Sequence, residues 1–118
     1  MHKEFVTYEQ AIQLKELGFD IPVNASWIIN KMYPQGIIGF GSWQNFNSSD
    51  NHLSAPLKQQ VFRWFREKHD LHHEIEFNED EYLAYVNGLT ANIFKTYEEA
   101  ESACIDKLIV ILKENGNI

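Results

Sequence analysis

The sequence predicts an α+β fold, and three observations carry that expectation. Capping signatures open a helical stretch near each end of the chain. Two separate segments have strand chemistry, the first rich in strand-forming residues and the second alternating apolar and polar residues, and each is interrupted by a turn signal. Between them lies a proline-marked helix with the densest aromatic face in the sequence. The predicted order is helix, hairpin, helix, hairpin, helix, with one antiparallel sheet packed against the helices in a single domain spanning 1–118.

The first helix is expected over Thr7 to Leu17. Thr7 followed by Gln10 forms a capping box, in which the hydroxyl takes the amide three residues on and the Gln side chain returns to the cap. Tyr8, Ala11, Ile12 and Leu14 give the apolar face. Gly18 suits the left-handed position after the helix, with Phe19 folding back on Leu14. Strand chemistry then runs from Ala25 to Trp43, divided by Tyr33-Pro34-Gln35-Gly36, a sequence suited to a type I turn with a glycine bulge. Gly39 and Gly41 suggest a bulge or a close approach in the second strand. Gln44 to Leu53, rich in Asn and Ser, reads as a long surface loop.

The central helix is expected to start at Ser54 or Ala55, with Pro56 in its first turn. Leu57, Val61, Trp64, Phe65 and the stem of Lys68 share one face, with Phe62 to the side. Lys58, Arg63, Arg66 and Glu67 mark the other. His73, Ile75 and Phe77 alternate with His72, Glu74 and Glu76 as a half-buried strand. Asn78-Glu79-Asp80 turns the chain into Tyr82 to Val86, and Asn87-Gly88 turns it again into a short strand over Leu89 to Phe94. Thr96 and Glu99 make a second capping box for a closing helix to Glu114, with Gly116 ending it.

Composition bounds the function. With 44% hydrophobic and 23% charged residues, the 118-residue chain has the balance of a folded globule. A net charge of -7 opposes a general affinity for duplex nucleic acid. One cysteine, Cys104, excludes an internal disulfide and fits a reducing compartment. The N-terminal residues form no secretory apolar stretch, so a cytoplasmic protein without membrane attachment is expected.

Catalytic and cofactor signatures are not found: the sequence holds no glycine-rich phosphate loop, nucleophile elbow or zinc-protease helix. His69, His72 and His73 with Asp70 are the residues most suggestive of a metal. Consecutive strand residues point to opposite faces, so His72 and His73 are not expected to converge, and no metal is assigned. Glu74, Glu76, Glu79, Asp80 and Glu81 read as a solvated acidic face rather than a catalytic pair. Cys104, on a buried helix face, reads as inert.

Two surfaces remain as binding candidates. Trp27, Tyr33, Trp43 and Phe46 crowd the first hairpin and its loop, where uncovered rings would mark a protein-binding patch. Lys58, Arg63, Arg66 and Lys68, beside Phe62 and Trp64, are the alternative, a nucleic-acid surface on the central helix. The runs VTYEQAIQLKELGFD, SAPLKQQVFRWFREKHDLHHEI and KTYEEAESACIDKLI resemble a group of small uncharacterised proteins from prophages and mobile elements of gut Bacteroidetes-type bacteria. The resemblance implies an accessory protein of phage or mobile-element type; it brings no activity, ligand or site residue. The expected function is therefore a non-enzymatic interaction module, an adaptor or inhibitor suited by its acidity to a basic partner.

Overall fold

The computed structural model describes residues 4–28, 37–48 and 52–116. It is an α+β structure with helices and antiparallel sheets. The chain divides into two compact units, one over Glu4–Leu57 and the other from residue 58 onward. Each has its own three-stranded antiparallel sheet, so two sheets replace the single one expected. The alternation that identifies strands says nothing about which strands pair, and here each helix-bounded segment pairs within itself.

The first unit opens with α1 (Tyr8–Glu16), capped as its sequence dictates. The Gln10 backbone N–H donates to Thr7 Oγ1 at 3.1 Å, and the Thr7 N–H donates to Gln10 Oε1 at 2.9 Å. At the other end Gly18 adopts a φ of 86°, which lets Phe19 N–H donate to the Leu14 carbonyl and Gly18 N–H to that of Lys15. Phe19 is thereby buried, together with Val6, Ala11, Leu14, Val23, Ala25, Leu53 and Ala55.

The sheet of this unit is ordered β2-β1-β3, from β1 (Val23–Ile28), β2 (Ile37–Gln44) and β3 (His52–Ser54). A register shift between Val23 and Ala25 fits the irregularity that the glycines suggest, Ala25 facing Phe40 and Ser26 facing Gly39. The turn expected at Tyr33 to Gly36 lies outside the described residues. The Asn/Ser segment is more structured than expected. It holds a 3-10 turn over Phe46–Ser48 and then β3, whose Ser54 pairs with Ser26 and Leu53 with Trp27. Asn47 fixes the turn: its amide Nδ2 donates to the Phe19 carbonyl at 2.9 Å, and its Oδ1 accepts from Ser54 N–H at 2.8 Å.

That pairing also corrects the start of the central helix. Ala55 N–H continues the ladder by donating to the Ala25 carbonyl, the Pro56 carbonyl accepts from Val6 N–H, and Leu57 bridges Phe5. The chain therefore stays extended through Ser54, Ala55 and Pro56, and α2 begins only at Lys58 (Lys58–His69). Leu57 falls before the helix and is exposed instead of sharing its apolar face.

In the second unit α2 buries Val61, Phe62, Trp64 and Phe65, and ends where Asp70 turns left-handed at φ 53°. Lys68 is exposed rather than laid along the apolar face, and Phe62 is fully buried rather than lateral. β4 (His73–Asn78), β5 (Glu81–Val86) and β6 (Leu89–Phe94) follow in sheet order, so the last strand is present as expected. Both hairpin turns place two consecutive residues at positive φ, Glu79 and Asp80 in the first, Asn87 and Gly88 in the second. The closing helix α3 (Tyr97–Gly116) packs across the sheet and against α2. Its capping box forms, with Glu99 N–H donating to Thr96 Oγ1 at 3.1 Å. Gly116 is the last helical residue rather than the one beyond the end.

Candidate interaction surfaces

β2 is an edge strand, and its eight residues contain no charge and no proline. Natural edge strands are commonly guarded by such residues, because unpaired backbone groups template further pairing. Two rings stand out from it: Phe40 is 69% exposed and Trp43 60% exposed. Among the described residues the Phe5 ring meets Phe40 edge-on, centroids 5.9 Å apart.

The other aromatic candidates are placed differently. Trp27 is half-buried, with Tyr8 edge-on to it at 5.7 Å, and its indole Nε1 is buried without a hydrogen-bond partner. By register it shares the sheet face of Phe40, since Ala25 pairs with Phe40 and Trp27 with Ile38. Phe46 is half-buried, with its ring 3.5 Å from where a side chain on Gly41 would begin and 6.0 Å from the His52 ring. Gly41 thus admits the ring against β2. Tyr33 lies outside the described residues. The reading by residue type found Trp43 but missed Phe40; the available signal was the apolar residue between two glycines in a strand free of charge.

The basic residues of α2 are not one surface. Lys58 is only 5% exposed, and its Nζ lies 3.5 Å from the Glu98 carbonyl oxygen, which accepts from it. It is thus removed from the exposed basic face predicted for it, because it stands three and four residues before Val61 and Phe62 and shares their buried face. Arg63 is exposed and paired with Glu67 one turn on, at 3.1 Å. Arg66 and Lys68 are exposed.

The histidines diverge. His73 lies flat on Phe62, ring centroids 3.5 Å apart and 9° from parallel. Burial, with a smaller contribution from the Arg66 charge, lowers its pKa to about 4. His69 sets its ring edge-on to Trp64 at 4.7 Å, its Nε2 is buried without a hydrogen-bond partner, and burial followed by the Lys68 charge lowers its pKa. The expected cation at the helix end is therefore opposed by its surroundings. His72 points outward, its Nε2 2.9 Å from Asp70 Oδ1. Among the described residues no three metal-ligating side chains converge.

Between α2 and α3 lies a buried polar group that the sequence did not single out. Gln59 Nε2 donates to Glu101 Oε2 at 2.7 Å, and Glu101 is buried. Burial raises the Glu101 pKa, while the Gln59 hydrogen bond and the Lys58 charge pull it back and Glu98 adds to the rise. Cys104, one turn further, donates to the Tyr85 carbonyl at 3.8 Å, and burial pushes its thiol up to about 11, Glu101 adding to the effect. It sits against a small recess of about 60 Å³ lined by Ala84, Val86, Asn92, Ala103 and Lys107. So high a pKa leaves almost no thiolate at neutral pH.

No protein-family model, curated protein or solved structure matches the chain. Among the described residues, no helix is long and apolar enough to cross a membrane.

Proposed function

We propose that the protein is a non-enzymatic interaction module, an adaptor or inhibitor, that grips another protein through β2. The observation that carries this reading is the pair of exposed rings, Phe40 and Trp43, on an uncharged edge strand. Desolvated aromatic side chains are the usual anchors of protein interfaces, and an open strand edge adds main-chain hydrogen bonds to them. Trp27 pairs with Ile38 of β2 in the ladder, and Phe46 lies against Gly41. The resemblance to phage and mobile-element proteins supplies a setting for such an accessory role.

The test is a photoactivatable benzophenone side chain at position 43, in the full chain, in the native host. A discrete protein adduct is expected at 43, absent from the control position 9 and lost when Phe40→Ser is added. Equal, diffuse labelling at both positions would sink the reading. The alternative, nucleic-acid binding by α2, has weaker support, since Lys58 is buried and Arg63 is paired with Glu67. It requires a salt-dependent shift of single-stranded DNA that Arg66→Glu/Lys68→Glu abolishes.

A further inference from the structure

A second surface lies at the tip of the β4–β5 hairpin. Phe77 and Tyr82 face each other across the two strands, ring centroids 5.1 Å apart, and Tyr97 at the start of α3 meets Tyr82 edge-on at 5.8 Å. The row is open: Phe77 is 62% exposed and Tyr97 is also exposed. Phe77 stands on β4, an edge strand.

Carboxylates border these rings at one end. Glu79 and Asp80 form the turn directly beyond the Phe77–Tyr82 pair and are exposed, and Glu98 follows Tyr97, while Glu74, Glu76 and Glu81 alternate to the opposite face of the sheet. The three strands contain neither lysine nor arginine. One cation borders the row, the exposed Lys95, which directly follows Phe94, the register partner of Tyr82. Lys58 reaches the Glu98 carbonyl from the buried side. An open aromatic row bordered by more carboxylates than cations suits a cationic partner. Ring faces attract a guanidinium or ammonium group, and the carboxylates hold its charge and the charges beside it.

The turn adds to this. Two residues at positive φ suit Asn-Gly, yet this turn holds Glu79 at 49° and Asp80 at 68°. Side chains with a Cβ are strained there.

We infer that the aromatic row Phe77–Tyr82–Tyr97 and the Glu79–Asp80 turn form a docking surface for an arginine- and lysine-rich segment of another protein. An arginine from the segment stacks over Phe77 and Tyr82 while its neighbours meet the turn carboxylates. The surface belongs to the second unit, and the inference does not depend on the reading of β2.

The full chain is titrated with a fluorescently labelled nona-arginine peptide, followed by anisotropy at several salt concentrations. Phe77→Ala, which changes no charge, is expected to weaken binding about fivefold, and Phe77→Leu nearly as much, since cation–π attraction is lost in both. Glu79→Asn/Asp80→Gly is expected to raise Tm and yet weaken binding about tenfold with a flatter salt dependence. Because that variant folds better, lost binding cannot be ascribed to unfolding. The control Glu9→Gln/Asp20→Asn removes the same charge elsewhere and is expected to leave the affinity within about twofold. Equal weakening by the control and the turn variant, with no effect of Phe77→Ala, would show attraction to net charge alone and overturn the inference. No binding at low salt would overturn it as well.

Discussion

Stacked flat on Phe62, the His73 ring is held neutral, with a folded pKa of about 4 against the usual 6.5. The unfolded chain takes up a proton on this residue as pH falls through 6.5, while the folded chain does so only near 4. The contribution to stability is thus whole above pH 6.5 and is lost progressively down to 4. It amounts to roughly 2 kcal/mol once partial exposure is allowed for. His73→Phe keeps a stacked ring and removes the proton, so urea melts at pH 7.5, 6 and 4.5 are expected to lose less stability on acidification than wild type. Equal losses would assign the acid sensitivity to other groups. Glu101 has the opposite sign. Its raised pKa means that the folded state disfavours the charged form, a stability deficit present at neutral pH and relieved on acidification. Glu101→Gln retains an acceptor for Gln59 without the charge, and is expected to melt higher than wild type at pH 7 and level with it in acid. Spacing along the chain revealed the packed His73 but not Glu101, because a glutamate in the first turns of a helix reads as a solvated dipole partner until the position of α2 is known.

Elements bounded by local chemistry were the ones legible in the sequence. α1 has its capping box and its glycine ending because Thr7, Gln10 and Gly18 act within one turn of themselves, and the Asn87–Gly88 turn joins β5 to β6 for the same reason. Gly18→Ala tests this: nothing lies within 4 Å of the added methyl group, so the cost is the left-handed backbone alone, about 1–2 kcal/mol in a urea melt. A loss several times larger would mean that the space is not free. β3 was not legible. His52–Ser54 is too short to show a period, and it is a strand only because β1 offers a free edge and Asn47 holds the turn before it. The same non-local pairing kept Ser54 to Pro56 extended and delayed α2, whereas Lys58 is buried by its helical spacing to Val61 and Phe62. Strand alternation likewise could not distribute six strands into two sheets, since the period is identical whichever neighbour is chosen.

For the whole chain, charge and surface act against each other. A net charge of -7 keeps copies apart at neutral pH, while β2 presents Phe40 and Trp43 on an edge with no charge of its own. Composition made the acidity legible at once; the exposed edge was not, because a run of apolar residues in a strand reads equally as core. Near the sequence pI of about 5.1 the repulsion disappears while the rings remain. Acidification through the same range also withdraws the His73 contribution, so two separate causes fall in one pH window. They are separable. Turbidity at pH 5 should rise with protein concentration in wild type and fall sharply in Phe40→Ser/Trp43→Ser, which leaves the net charge and His73 untouched. Were the edge irrelevant, the double variant would cloud as wild type does, and His73→Phe would be the substitution that clears it.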